Sequence, residues 1–458
     1  MSDSRAQALD YAKIQKNRFL GELIEFSSIP SISTDPDRAS DIHKTANWLV
    51  KRLTDIGLDN IKIYPTAGHP VVYADSLNAG AEAPTVLIYG HYDVQPAEPL
   101  DKWDSDPFEP TERGENLFAR GATDMKGQVA ATINAVEAIL STGELPVNVK
   151  FIIEGEEEIG SPNLPDFIDE HKEMLSCDFA LNPDTGMIAP DLPTITYALR
   201  GLAYFELRLW GPSQDLHSGV FGGAVHNPAQ VLADLVSGMH DANGRVTLPG
   251  FYDTVRDLEA NERAELARLP KTDAWYLENT GVPELWGEEG FTADERVGAR
   301  PTLEINGLVS GFTGEGAKTV LPAYAMAKIS CRLVPDQDPK EVHQQLLKYL
   351  EENAPATVKW EVIMMASGPA SISDRNSRWT KAYLKAAEEA WGVKPAFKRE
   401  GGSVPVVTAF QEILGVESVN MGFGLPTDNM HGPNEKLHLP TWYKGIDAVI
   451  HFLFNLAK

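Results

Sequence analysis

The sequence predicts an α/β fold: one domain with a mostly parallel sheet and helices on both faces, interrupted by an inserted α+β domain. Three observations point to it. Short apolar runs alternate with helical patterns up to Asp191, strand alternation takes over after it, and the first pattern resumes near Ser377. Strands alternating with helices call for a sheet covered by helices. The expected division is 1–193 and 373–458 in one domain and 194–372 in the insert.

The elements follow in order. A helical pattern runs over about 6–27 and ends at Ile29-Pro30, because a residue before proline is pushed out of the helical region. Residues 86–89 (VLIY) and 147–153 (VNVKFII) are apolar strands. Between them Val129, Ile133, Val136 and Leu140 recur at helical spacing after Gly127. Residues 179–181 form a third strand. Over 194–210 (TITYALRGLAYFELRLW), Ala203, Phe205, Leu207 and Leu209 fall on one face and Tyr204, Glu206 and Arg208 on the other. A helix near 228–239, a strand over 324–333 and a helix marked by Val342, Leu346 and Tyr349 complete the insert. Helices over 379–391 and 442–456 close the chain.

Composition narrows the function. At roughly 150 residues per domain, 458 residues make about three domain-sized pieces or two unequal ones. The formal charge of −26 repels phosphate backbones and anionic lipid, so nucleic acid and membrane surfaces are not expected partners. No apolar run approaches the roughly 20 residues of a membrane helix. The start MSDSRAQALDYAKIQKNRF lacks the apolar core and cleavage site of a signal peptide. With only Cys177 and Cys331, a reduced, cytoplasmic protein is expected. Two cysteines cannot build a thiolate cage, so any metal must be held by histidine and carboxylate.

Four carboxylate or histidine clusters are expected directly after strand-like runs, where ligands bind in open α/β sheets. In Tyr89-Gly90-His91-Tyr92-Asp93, His91 and Asp93 share one side of an extended segment, so an imidazole can bind metal while the carboxylate orients it; the alternative is a pair of solvated loop residues. Asp124, in Arg120-Gly121-Ala122-Thr123-Asp124-Met125-Lys126-Gly127, opens the 129–140 helix as a ligand or as a helix cap. The acids of Glu154-Gly155-Glu156-Glu157-Glu158-Ile159-Gly160-Ser161 are costly at the end of a buried strand unless cations neutralise them. One glutamate facing a metal and its neighbour facing water would supply a ligand and a base; the alternative is an acidic loop. Asp184, in Asn182-Pro183-Asp184-Thr185, is a fourth carboxylate or a turn residue. Among the histidines, His171, His343 and His451 sit in helical patterns, whereas His431 lies in the polar loop Asn429-Met430-His431-Gly432-Pro433-Asn434-Glu435 and is the best C-terminal candidate.

Taken in register, GHYDVQP, ARGATDMKGQ, EGEEEIGS, NPDT, DLHSGVFGG, GAKTVLP, CRLVP, REGGSVPV and NMHGPNE resemble the motif set of the carnosinase-like branch of dinuclear zinc peptidases. That family also includes carboxypeptidase G, aminoacylase and desuccinylase, and the resemblance runs from about Phe19 to the C-terminus. It implies a catalytic domain with an inserted lid and dimerisation domain. It implies two divalent ions per chain, most simply Zn2+ with Mn2+ or Co2+ as substitutes, one held by His91, Asp124 and Asp184 and the other by Asp124, Glu158 and His431. Glu157 matches the general base and Asp93 the partner of His91. His217 matches a histidine that reaches the partner subunit's site in a homodimer, with Thr319 near it. Arg332 and Ser403 match residues that receive the substrate's carboxylate, the arginine by a bidentate pair. The implied activity is hydrolysis of the amide bond of dipeptides or short peptides, with N-acyl-amino-acid deacylation as the alternative. Intact Glu157 and ligand positions argue against a binding-only protein. One departure stands out: where close carnosinases carry a His-Pro step, Met364-Met365-Ala366-Ser367-Gly368-Pro369 has no histidine. The resemblance thus implies peptide hydrolysis without implying carnosine as the substrate.

Overall fold

The computed structural model describes residues 2–402 and 404–457. The chain forms two compact units, the first made of Met1–Tyr197, Ser373–Lys398 and Val404–Lys458, the second of Ala198–Ile372 and Arg399–Ser403.

At the centre of the first unit, four strands run parallel in the order Asn148–Glu154, Thr85–His91, Phe179–Asn182 and Ser418–Asn420. Antiparallel strands extend the sheet on either side: Val71–Ser76 and Asp59–Tyr64 beyond Asn148–Glu154, and Thr194–Leu199 beyond Ser418–Asn420. The central strands are apolar because both faces are covered: every residue of Asn148–Glu154 and Phe179–Asn182 is buried. The ring contacts show the two layers. Phe179 stacks on Trp379 and meets Phe452 edge-on, with ring centroids 4.5 and 5.8 Å apart, tying the sheet to helices Arg378–Trp391 and Leu439–Leu456. Phe179 is paired with Val86, and Tyr89, three residues on and so on the opposite face, meets Phe410 at 6.1 Å.

In the second unit, four antiparallel strands lie in the order Thr302–Ser310, Tyr324–Leu333, Gly201–Trp210 and Lys359–Gly368. The alternation read from the sequence decides the packing. Ala203, Phe205, Leu207 and Leu209 join Ala325, Ala327, Ile329, Cys331 and Leu333 in one buried cluster. Helices Pro228–Gly238 and Pro339–Asn353 cover it with Val231, Leu232, Leu235, Val342 and Leu346. Full burial of each large side chain contributes about 1.5–3 kcal/mol. Arg332 and Ser330 occupy the opposite face of this sheet, where they line a cavity of about 410 Å³ together with Arg200 and Glu304.

Two elements differ from expectation. The N-terminal helix is two, Ser2–Ile14 and Lys16–Ser27, bent at Gln15 (φ −87°, ψ 4°). The bonds Gln15 N to Tyr11 O and Phe19 N to Gln15 O persist at 2.9 Å, and the Gln15 amide oxygen accepts from Arg18 Nε, so the helix bends without breaking. The single strand expected over 194–210 is also two, Thr194–Leu199 and Gly201–Trp210, separated at Arg200. The Arg200 side chain is turned aside to donate from Nε to Gly401 O at 3.2 Å. Cys177 and Cys331 are both free thiols. Among the described residues, no helix is long and apolar enough to cross a membrane.

Candidate metal centre

Three of the clusters follow parallel strands of the first unit, which points their side chains to the same end of the sheet. His91 is the last residue of Thr85–His91, Glu157 and Glu158 form a turn just after Asn148–Glu154, and Asp184 follows Phe179–Asn182. Asp124 comes from the segment before helix Gly127–Leu140. It does not cap that helix, whose N-cap position is Lys126 without a side-chain cap bond. His431 comes from the loop before strand Lys436–His438.

These residues converge. Ligand atoms of His91, Asp124 and Asp184 lie within 4.8 Å of one another, and so do those of Asp124, Glu158 and His431. Asp124 belongs to both groups: Oδ1 is 3.2 Å from His91 Nε2, and Oδ2 is 2.9 Å from His431 Nε2. His431 Nε2 also lies 3.2 Å from Glu158 Oε2, and His91 Nε2 lies 3.9 Å from Asp184 Oδ1. Each group offers one imidazole and two carboxylates, a donor set that suits zinc and similar divalent ions. The donor chemistry therefore fits a pair of cations sharing one carboxylate.

Neighbouring groups hold these side chains in place. His91 Nδ1 lies 3.1 Å from the carbonyl oxygen of Asp93 and 3.4 Å from its Oδ1, so the ring presents Nε2 to the centre. The Asp93 carboxylate also accepts from the backbone N–H of Glu157 at 3.2 Å and of Glu158 at 3.1 Å, holding the turn that carries both acids. Glu156 is turned away: it accepts from His69 N at 2.9 Å and from Asn163 Nδ2. Glu154 is also engaged elsewhere, accepting from Tyr89 Oη at 2.9 Å and Ser161 Oγ at 2.8 Å. Of the pair selected by the family resemblance, Glu158 faces His431, and Glu157 feels the charges of His91, Asp124 and Glu158. Gln95, not singled out in the sequence, donates from Nε2 to Glu158 Oε2 at 2.8 Å. Glu435, quoted only as part of NMHGPNE, is fully buried against the Asp124 segment.

The electrostatics are those of a site built for positive charge. Burial pushes Asp184 far above the usual carboxylate range, with His91 opposing and Asp124 and Glu157 adding to the rise. Burial likewise pushes Glu157 up to about 7, against the pull of His91. Asp124 stays well below its ordinary value despite burial, because His431 and His91 both bond to it. His431 is raised to about 10, by its bonds to Asp124 and then to Glu158. His91 is also raised: burial opposes its charge, but Asp124, Asp93 and Asp184 outweigh that.

The remaining candidates lie in the second unit. His217 is exposed, ends the short strand Leu216–His217 and caps the turn Ser218–Phe221, its Nδ1 accepting from Gly219 N at 3.0 Å. Thr319 is exposed beside it, its carbonyl accepting from Ser218 N at 3.0 Å. Arg332 is half-buried on the sheet face described above. Ser403 lies outside the described residues.

Comparison with known proteins places the chain among peptidases. The sequence profile of peptidase family M20/M25/M40 matches residues 87–455. The Cys-Gly metallodipeptidase of Schizosaccharomyces pombe is 34% identical over 461 residues, covering 97% of this chain and 96% of that protein. The Beta-Ala-His dipeptidase of Homo sapiens is 33% identical over 469 residues, covering 99% and 92%. Among solved structures, an M20 family metallo-carboxypeptidase from Sulfolobus solfataricus superposes with a TM-score of 0.83 at 35% identity, covering 96% of this chain and 99% of that one.

Proposed function

We infer that this chain, which belongs to peptidase family M20/M25/M40, is a metal-dependent hydrolase that cleaves the peptide bond of dipeptides. The observation that carries this reading is the convergence of His91, Asp124, Glu158, Asp184 and His431, from five separate segments, on two overlapping ligand groups. His91, Asp124 and Asp184 hold one ion and Asp124, Glu158 and His431 the other, with zinc favoured by an imidazole in each set. Two divalent ions held there supply Lewis acidity, polarising the scissile carbonyl and making a water acidic near neutral pH.

The chain's own groups do the rest. Glu157 belongs to neither ligand group and is raised towards neutrality by burial, so it takes the attacking water's proton on its carboxylate and returns it to the leaving nitrogen. Asp93 keeps His91 in register and fixes the turn that presents Glu157. Arg332, and Ser403 with it, receives the substrate's free carboxylate; a guanidinium does so by a planar fork. His217 and Thr319 act across a homodimer, at the partner's site. Few cysteines and an acidic surface suit a cytoplasmic enzyme.

The relatives reported are dipeptidases and a carboxypeptidase, so deacylation of N-acyl amino acids is the weaker reading. The test is a substrate panel on zinc-, manganese- and cobalt-loaded full-length protein. Release from dipeptides such as Cys-Gly should far exceed release from N-acetyl or N-succinyl amino acids; inactivity on every dipeptide rejects the reading. Mixing a His217→Ala chain with a Glu157→Gln chain should restore part of the lost turnover, and no restoration rejects the shared site.

A further inference from the structure

We propose that Glu435 is a positioning residue that assembles the Asp124–Glu158–His431 group, by fastening the loop that carries His431 to the segment that carries Asp124. This rests on the two-cation reading above.

Glu435 follows His431 by four residues, and its side chain has no exposure to solvent. A carboxylate so placed is costly unless fully paired. All its partners come from one short stretch of chain. Oε2 accepts from Arg120 Nη1 at 2.6 Å and from Gly121 N at 2.9 Å. Oε1 accepts from Thr123 N at 3.1 Å and from Asp124 N at 3.2 Å. Its own carbonyl accepts from Ala119 N at 3.1 Å. One residue thus grips the backbone from Ala119 to Asp124, ending on the N–H of the shared ligand itself.

The other end of the link is the loop that carries His431. Asn429, His431 and Asn434 all have left-handed backbone, with φ of 55°, 60° and 58°. That region is uncommon for residues other than glycine, although Asn and His enter it more readily than most. The His431 side chain is about half exposed, so core packing does not fix it. The loop is fastened at its ends instead: Lys436 N bonds to Asp428 O at 3.0 Å, Asn434 bonds to Asp104 N and Lys102 O, and Glu435 bonds to the Asp124 segment. Of these, only Glu435 reaches a ligand-bearing residue directly. His431 Nε2 lies 2.9 Å from Asp124 Oδ2 although 307 residues separate them. Two side chains fasten the loop to the Asp124 segment: Asp428 accepts from Thr123 Oγ1 at 3.2 Å, and Glu435, with four bonds, is the one that reaches Asp124 itself.

Glu435→Gln keeps the size of the side chain but replaces one acceptor oxygen with a donor facing backbone N–H groups or Arg120. The experiment compares ion binding by full-length wild type, Glu435→Gln, His431→Ala and the double variant, by zinc and cobalt titration of metal-stripped protein, alongside the unfolding midpoints of the metal-free forms. Glu435→Gln should weaken the ion held with His431 by about 10–100-fold, the usual effect of removing a group that orients ligands, and the ion held with His91, which shares Asp124, by clearly less. At the His431 ion the double variant should lose no more than His431→Ala alone does, because both changes act on the same group. Wild-type affinity for both ions in Glu435→Gln overturns the proposal. So does an additive loss in the double variant, or an equal loss at both ions tracking a lowered metal-free midpoint, since those mark a structural role. Should Glu435→Gln fail to fold, Glu435→Asp and Arg120→Lys replace it. The shorter acid should weaken one ion and the lysine, which leaves the three N–H bonds in place, should not; the reverse order overturns the proposal. Wild type that fails to take up two ions refutes the two-cation reading instead.

Discussion

The two oxygens of Asp124 face different histidines, Oδ1 towards His91 and Oδ2 towards His431. One carboxylate is therefore common to both ligand groups, while each imidazole serves one. Asp124→Asn should lower the affinity for both ions, whereas His431→Ala should leave about one ion per chain after dialysis. Metal analysis of the dialysed proteins checks this, and two retained ions in Asp124→Asn would contradict it.

Glu157 belongs to neither ligand group, yet the charges of His91, Asp124 and Glu158 all act on its carboxyl. Glu157→Gln should lower kcat by about 10²–10⁴-fold, the range for a positioned acid–base group. Metal content should stay at the wild-type level. Near-normal turnover would remove Glu157 from the base role.

Cation binding should release protons. His431, raised to about 10 by Asp124 and Glu158, carries a proton at neutral pH in the metal-free protein, and Asp184 is raised by burial. Ligands must give up these protons to bind a cation, so affinity rises with pH and falls as the groups reprotonate. Calorimetric titration at pH 7 in buffers of different ionisation heat should show net proton release. Uptake, or no exchange, would be inconsistent with His431 as a ligand.

Away from the centre, Glu137 is held by Arg18, Arg52 and the Tyr11 hydroxyl. Burial pushes its pKa up, but the two guanidinium groups more than offset this, and the net shift is below the ordinary 4.5. A carboxylate lowered by folding contributes stability above its unfolded pKa and loses it as pH falls through the folded one. Glu137→Gln should cost about 2–3 kcal/mol at pH 7, less than the ~3–5 of a fully buried broken pair, because Arg18 is over a third exposed and can turn to water. The gap in unfolding midpoint between the two proteins should narrow below about pH 4.5. A gap that widens in acid would assign the wrong sign to the interaction.

How far the sequence was legible depends on how local each signal is. The strand Tyr324–Leu333 matches the expected 324–333, and Arg378–Trp391 begins one residue before the expected 379, because period and flanking residues carry that information. The bend at Gln15 and the break at Arg200 leave no such trace, since neither uses proline and each depends on where a side chain finds its partner. His91 and Asp93 suggest a ligand and its orienting group by spacing alone. Asp124 and His431 do not: either one, in isolation, fits a cap or a polar loop, and only the ordered set of motifs joined them. Glu435 was hidden for a related reason. An acid in a polar, glycine- and proline-containing loop looks solvated until the chain returns 311 residues to bury it on Asp124.

Anomalous diffraction from crystals of the full-length protein grown with zinc tests the central claim most directly. Two zinc peaks per chain are expected. One should be ringed by His91, Asp124 and Asp184 and the other by Asp124, Glu158 and His431, with nitrogen ligands at about 2.0–2.1 Å. A single peak, or zinc bound elsewhere with these five side chains left uncoordinated, would contradict the account.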